Sequence, residues 1–336
     1  MTQISSGITF WINNARIKHA APQSVLPAIL AVCMASTYAS FSLILSVLAI
    51  VGIVLGHAIG NLFDDYFDFT RKHDPTDEKP EHRGIRSYRT KCPYITSGAT
   101  TPKKLLFVSC LLSVAAIAIG LILIYYRGIG ILYFMAISGI LIISYSGIPL
   151  RLSYHGLGEI LIGILFGPLN MIGVYYAACG TIDITVILVS IPVGFFVANI
   201  LYVHSILDFE PDKEVGKNTL AVLIDNKKAM LVAEFIFIFA PYAIIAYGIL
   251  AGYIPSYFWL LMFTLPLAVY LFYMMVEFVR NPERKFDRRT WMGPIGRWEQ
   301  AKKMGTDWFM LRWMIARNLL SSFCIITIFI TLINRL

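Results

Sequence analysis

Long apolar runs, broken by tight polar turns and by two extended charged stretches, set the pattern of this chain. Residues 40–60, 128–150 and 184–203 hold no Asp, Glu, Lys or Arg. A helix that crosses a bilayer needs about 20 consecutive apolar residues. The pattern predicts an all-α, polytopic membrane protein with nine transmembrane helices. They are expected near residues 24–37, 40–67, 104–126, 128–145, 157–178, 182–208, 229–251, 257–279 and 313–333. Pro27 and a short following turn blur the first of these.

The basic residues give the spans a direction. Nine spans put the termini on opposite sides. With a cytoplasmic N-terminus, of the 28 Lys and Arg residues only Arg127 and Arg335 fall outside the cytoplasmic segments. That bias matches the rule that cytoplasmic loops carry the positive charge. It also places both long polar loops, residues 71–102 and 280–312, on the cytoplasmic side, with only tight turns opposite.

Composition agrees with the pattern. The chain of 336 residues is 57% hydrophobic and 14% charged, against about 25% charged in soluble domains. Its mean hydropathy is +0.69. The net charge of +8 would suggest nucleic acid in a soluble protein. Here the basic residues lie between apolar spans, so topology and anionic lipid account for them and no nucleic-acid partner is expected. Cys33, Cys92, Cys110, Cys179 and Cys324 lack metal-ligand spacing and read as packing residues. The N-terminal segment does not read as a cleavable signal peptide. Phe10 and Trp11 suit an interfacial helix instead. Residues 1–336 read as a single membrane domain.

Two helix ends carry candidate chemistry. The second predicted helix ends in Asn61-Leu62-Phe63-Asp64-Asp65-Tyr66-Phe67-Asp68. Asn61 and Asp65, like Asp64 and Asp68, are four residues apart, and Asp65 and Asp68 are three apart, so oxygen ligands share a face. The sixth ends in Asp208-Phe209-Glu210-Pro211-Asp212. Carboxylates at a helix C-terminus oppose the macrodipole, repel one another and are costly to desolvate near lipid. A solvated helix end explains one such cluster; two on one side point to a cation. Oxygen ligands without His or Cys suggest Mg2+ or Ca2+, and room for waters and phosphate favours Mg2+. Asp64 and Asp65 stand about 100° apart on a helix, and spacing favours Asp65 as the ligand beside Asn61 and Asp68. Arg71 and Lys72 follow the first cluster, and Lys213 and Lys217 the second. Arg151 is alone in a short loop that should pack beside the acid ends. Acids holding Mg2+ beside Lys and Arg make a diphosphate site.

Asn61 to Phe69, followed by Asp74, resembles the first aspartate-rich motif of the UbiA superfamily of intramembrane prenyltransferases. Asp208 to Ala221, with Asp212, Gly216, Lys217 and Thr219, resembles the second. Tyr145 to Glu159, then Phe166-Gly167-Pro168, is similar to the dihydroxynaphthoate polyprenyltransferase branch, which makes menaquinone precursors. Pro93 to Gly98, with Ser97, resembles the family's Pro–Ser-Gly element. Residues 204–207, His-Ser-Ile-Leu, stand where the family usually has Asn and Arg.

The resemblance implies Mg2+-assisted transfer of a prenyl group from a prenyl diphosphate to an aromatic acceptor such as 1,4-dihydroxy-2-naphthoate. It implies metal ligands at Asn61, Asp64, Asp65, Asp68, Asp208 and Asp212, with diphosphate donors at Arg151, Lys213 and Lys217. Tyr66, Tyr145, Tyr154 and Tyr202 are candidates to face an allylic cation, and the tail would lie in a groove between helices. The protein is expected in the cytoplasmic membrane of a prokaryote, among lipid, with its site facing the cytoplasm. Other acceptors of the superfamily, or an ion-coupled transporter, are the competing readings; transporters favour acids at the midplane rather than at helix ends.

Overall fold

In a computed structural model the described residues are 7–17, 21–70, 85 and 92–334. Nine apolar helices occur among them, one at each expected place: α1 (Pro22–Ala35), α2 (Leu43–Thr70), α3 (Pro102–Arg127), α4 (Gly130–Ser146), α5 (Gly158–Cys179), α6 (Ile184–Leu207), α7 (Lys227–Leu250), α8 (Ser256–Arg280) and α9 (Asp307–Ile333). Strands are absent among the described residues. Seven of the nine are long and apolar enough to cross a membrane; α1 and α4 are shorter. The chain is an integral membrane protein, and α3 turns Phe107, Leu111, Val114 and Leu121 outward, as a lipid-facing helix does.

Polar side chains set several boundaries. Thr101 accepts a hydrogen bond from the Lys104 amide at 3.3 Å and starts α3. Asp183 accepts one from the Val186 amide at 2.9 Å and starts α6. Asn226 accepts from the amides of Lys228 and Ala229, both at 3.0 Å, and starts α7. Helix α9 starts at Asp307, not near residue 313, because an acid in the first turn suits the positive end of the dipole. Arg312 therefore lies within a helix rather than at the edge of a loop, and Arg317 lies deeper in that helix than its first turn.

Close backbone contact fixes α5 against α6. A Cβ on Gly167 would stand 2.3 Å from Gly194 Cα, and one on Gly163 would stand 2.7 Å from the Gly194 carbonyl oxygen. Small residues one turn apart let two membrane helices approach in this way. The contact brings the first turn of α5 beside the last turns of α6. There Ser205 Oγ donates to Glu159 Oε1 at 2.5 Å.

The two ends of the bundle differ. At one end Arg127 donates to the carbonyls of Ser40, Ala177 and Ala178, tying α3 to the end of α5. At the other end the last turns of α2, α4 and α6 meet the loop between α4 and α5. The N-terminal helix Ile8–Asn14 does not simply lie in the interface. Phe10 packs on Tyr94, and the segment joins a cluster with Ala58, Leu62 and Leu105 at this same end. Residues 281–306 fold onto α8 and α9 and bury Met292, Ile295 and Trp298. Most of the first expected cytoplasmic loop, with Arg71, Lys72 and Asp74, lies outside the described residues.

Candidate active site

The acid end of α2 presents two faces. Asp64 accepts a hydrogen bond from Ser146 Oγ at the end of α4. Asp68, one turn on, accepts one from the Tyr154 hydroxyl in the loop after α4. The other face holds Asn61 and Asp65. Arg16 Nη2 lies 2.5 Å from Asp65 Oδ1, and Tyr94 donates to Asp65 Oδ2 at 2.7 Å. Burial, then the neighbouring Asp65, pushes the Tyr94 hydroxyl well above the ordinary tyrosine range, so it stays a donor. Asn61 Nδ2 donates to the Ala15 carbonyl at 2.9 Å.

Side-chain exposure separates the neighbours: Asp64 is 22% exposed and Asp65 5%. The spacing argument favoured Asp65 as the ligand; in the structure the two acids have different surroundings. Asp65 is enclosed by Arg16, Tyr94 and the Cys92 thiol, whereas Asp64 faces the α4–α5 loop together with Asp68 and lies 4.0 Å from Arg16 Nη1. Sequence reasoning missed Arg16 and Tyr94. Arg16 counted only as a topology signal, and nothing in spacing brings residue 16 to residue 65.

The second acid group sits where α6 stops. Asp208 caps the helix, is 1% exposed and accepts a hydrogen bond from the Ile85 amide at 2.8 Å. His204 Nδ1 is 3.8 Å from its other oxygen. Asp212, on the short helix Phe209–Glu214, pairs with Lys217 Nζ at 3.3 Å. Lys213 turns outward instead, pairing with the half-exposed Asp225 at 2.5 Å and lying over Phe209. It does not join the acids, since consecutive helical positions point about 100° apart.

The α4–α5 loop lies between the two groups. Tyr154 and Ser146 reach α2, while a Cβ on Gly156 would stand 2.2 Å from Leu223 Cδ1 just beyond the second motif. Glu159, which opens α5, accepts from Ser205 of α6 and from the Leu220 amide at 3.3 Å, locking this arrangement. Arg151 holds the loop's turn with φ 46°, its guanidinium 5.3 Å from the Tyr154 ring centroid. Its Nε is buried without a partner. Arg16, Cys92 and Arg151 all take left-handed backbone conformations around the α2 acids. Each costs on the order of 1 kcal/mol or more for a residue with a Cβ, a strain found at functional sites.

The match to known proteins accords with this geometry. The model of the UbiA prenyltransferase family covers residues 24–295. The chain belongs to the UbiA prenyltransferase family. It is 28% identical over 223 residues to 1,4-dihydroxy-2-naphthoate octaprenyltransferase of Bacillus subtilis, covering 65% of this chain and 67% of that protein. It is 30% identical over 194 residues to the protein of the same name in Haemophilus influenzae, covering 56% of this chain and 60% of that protein. Among solved structures, a UbiA homolog from Archaeoglobus fulgidus bound to GPP and Mg2+ shares the fold, with a TM-score of 0.55 at 14% identity. That match covers 95% of this chain and 98% of the other.

The remaining UbiA site candidates divide. Tyr145 lies beside the α5 start, where a Cβ on Gly158 would stand 3.5 Å from its ring. Tyr202 does not face the acids: it is fully buried, donates to the Met230 carbonyl at 3.2 Å and packs on Phe237 of α7. Ser97 is exposed at the end of the short helix Pro93–Thr96, and that element instead delivers Tyr94 to Asp65.

Among the described residues, no three His, Cys, Asp or Glu side chains converge as a metal cluster. Each helix end does offer a pair of carboxylates four residues apart, with no nitrogen or sulfur ligand between the pair. Mg2+ typically takes one or two carboxylates plus phosphate oxygens and water, so this donor set fits the ion.

An apolar cavity of about 360 Å³ opens among α2, α3, α4 and α5. It starts at Phe63 and Ile143, next to Asp64 and Ser146, and reaches Leu123 and Ala177. Along α2 it extends from Ala49 to Phe63, roughly 21 Å at the helical rise. Gly52 and Gly56 keep its wall low.

Proposed function

We propose that this protein transfers a prenyl group from a prenyl diphosphate to an aromatic acceptor of the 1,4-dihydroxy-2-naphthoate type. One observation carries the reading: the short segment that bears Arg151 reaches the Asp64 and Asp68 pair through Ser146 and Tyr154, and the second aspartate motif through Glu159 and the Leu220 amide. The naphthoate acceptor is supported by the names of the two bacterial relatives. The digeranylgeranylglyceryl phosphate synthase structure shares the fold at 16% identity and a TM-score of 0.60, and keeps a prenylglycerol acceptor as the alternative.

Asp64, Asp68, Asp208 and Asp212, with Asn61 and Asp65 behind the first pair, would hold Mg2+. Bound there with the diphosphate, the metal would neutralise charge on the leaving group. Arg151 and Lys217 donate to the diphosphate oxygens. The allylic C–O bond breaks and the diphosphate leaves with the electron pair. The tail lies in the apolar cavity, where water is excluded. Tyr145 and Tyr154 are the aromatic side chains near the first acid pair that would stabilise the cationic carbon. A ring carbon of the acceptor attacks, forming the C–C bond; on a hydroxynaphthoate, loss of the carboxylate as CO2 restores the aromatic ring.

The rest of the reading follows the sequence. Residues 1–336 act as one domain with nine spans. Its acid end faces the cytoplasm of a prokaryote, on the side where the positive charge accumulates. The test is Mg2+-dependent formation of prenylated naphthoquinol by the purified protein. Diphosphate release without that product would move the acceptor elsewhere in the family. No turnover of any prenyl diphosphate would end the enzyme reading.

A further inference from the structure

A second cavity lies at the end of the bundle opposite the aspartate motifs. It holds about 230 Å³ and is bounded by the ends of α1, α5 and α9 and by the starts of α6 and α8. Unlike the channel beside α2, it carries a charge. Asp183 lines it and is the one Asp or Glu in the turns at this end, residues 36–42, 128–129, 180–183 and 251–255. Its Oδ1 accepts from the Val186 amide at 2.9 Å. Its Oδ2 accepts from the hydroxyls of Tyr38, at 2.7 Å, and Tyr175. All three donors are neutral. Among the described residues no Lys or Arg pairs with Asp183. Arg127, the described basic residue of this end, is engaged by the carbonyls of Ser40, Ala177 and Ala178. A carboxylate has about four lone-pair sites, so one remains for a ligand.

The rest of the wall suits a cation. Helices α1, α5 and α9 all end beside the cavity and bring the negative ends of their dipoles to it. Asp183 already offsets the positive end of α6 as its N-cap, which leaves the uncapped start of α8 as the opposing dipole. Tyr38 and Tyr175 meet edge to face at 5.9 Å, and Tyr257 stacks on Phe258 at 5.3 Å, so aromatic rings border the space. Thr331 of α9 lines it too, with its Oγ1 buried and without a partner. Threonine in a helix uses two χ1 rotamers, so this oxygen can turn to accept from a ligand N–H. A carboxylate without a counter-charge, aromatic rings and a spare hydroxyl together describe an ammonium group.

The level of the cavity gives the source of that group. Tyr125, Tyr126, Tyr253 and Trp259 are exposed at the same end, as aromatic side chains are at a membrane interface. The cavity therefore opens at the depth of lipid headgroups. We propose that it takes the primary ammonium headgroup of a phospholipid in the leaflet opposite the aspartate motifs, with Asp183 as the counter-charge. The acyl chains stay in the bilayer. The site stands apart from the acid end and is independent of the prenyl-transfer reading.

The experiment is native mass spectrometry of the purified protein in detergent, titrated with phosphatidylethanolamine, with its N-acetylated form and with phosphatidylcholine, all with the same acyl chains. Wild type is expected to bind phosphatidylethanolamine about tenfold more tightly than the N-acetylated lipid, which lacks the positive charge. Phosphatidylcholine keeps the charge without N–H donors and should fall between. Asp183→Asn still caps α6 and should lose the preference for the amine. Thr331→Val should weaken phosphatidylethanolamine about threefold and leave phosphatidylcholine unchanged. Asp225→Asn removes a half-exposed acid at the other end and should bind all three as wild type does. A wild type without preference, or an Asp183→Asn variant that keeps it, would overturn the proposal. So would the same loss in Asp225→Asn, which would mark net charge rather than a site. Free phosphoethanolamine that competes as tightly as the lipid would overturn the lipid assignment and make the ligand a soluble amine.

Discussion

Arg16 and Asp65 meet across the acid end of α2, with Nη2 2.5 Å from Oδ1. The pair joins the N-terminal segment to the helix that carries the first aspartate motif. Asp65 is almost fully buried, so removing its partner strands a charge. Arg16 is about half exposed, which moderates the effect.

Arg16→Gln should therefore cost about 1–3 kcal/mol of stability. A thermal melt in detergent reads this, and Asp65→Asn should relieve part of it in the double variant. Additive losses would mean that the two side chains do not interact.

Asp64 and Asp65 should separate by phenotype. Asp64→Asn is expected to lower kcat at least a hundredfold with the melting temperature nearly unchanged. Asp65→Asn should lower the melting temperature and reduce activity less. Steady-state rates at saturating Mg2+ beside melts of both variants decide it. The opposite ranking would restore the spacing argument.

The contact between α5 and α6 leaves no space for a side chain. Gly167→Ala puts a methyl within 2.3 Å of Gly194 Cα, so backbone has to move. A loss of about 1–3 kcal/mol is expected. Gly139→Ala, with nothing within 4 Å of its Cβ, is the control and should melt like wild type.

The cavity should set the length of the donor. Gly56 has open space where its Cβ would stand, at the wall of the apolar channel. Gly56→Phe is expected to retain activity with a short donor such as dimethylallyl diphosphate. The rate with geranylgeranyl diphosphate should fall about tenfold or more. Competition between the two donors measures this. An equal loss on both would show that the tail lies elsewhere.

Much of this architecture was legible because lipid imposes a strong constraint. Apolar runs of bilayer length locate the helices, and paired acids at two helix ends locate the chemistry. Other features depend on tertiary contacts that local pattern does not encode. The start of α9 was hidden because Arg312 looks like a loop charge until the bundle buries it. Spacing favours Asp65 over Asp64 beside Asn61 and Asp68, but it does not show that Tyr94 and the nearer nitrogen of Arg16 close on Asp65. Lys213 and Lys217 both follow an aspartate motif, yet only Lys217 turns back to Asp212. Tyr202 was among the tyrosines expected to face the cation, but its helical face is directed at α7.

The most direct test of the account is prenyl transfer by purified protein supplied with geranylgeranyl diphosphate and 1,4-dihydroxy-2-naphthoate, with Mg2+ titrated from a chelated start. Asp64→Asn and Asp212→Asn are assayed beside wild type. The account predicts a prenylated naphthoquinol that appears only with Mg2+ and is lost in both variants while their melting temperatures hold. Turnover independent of Mg2+, or unchanged in both aspartate variants, would contradict it.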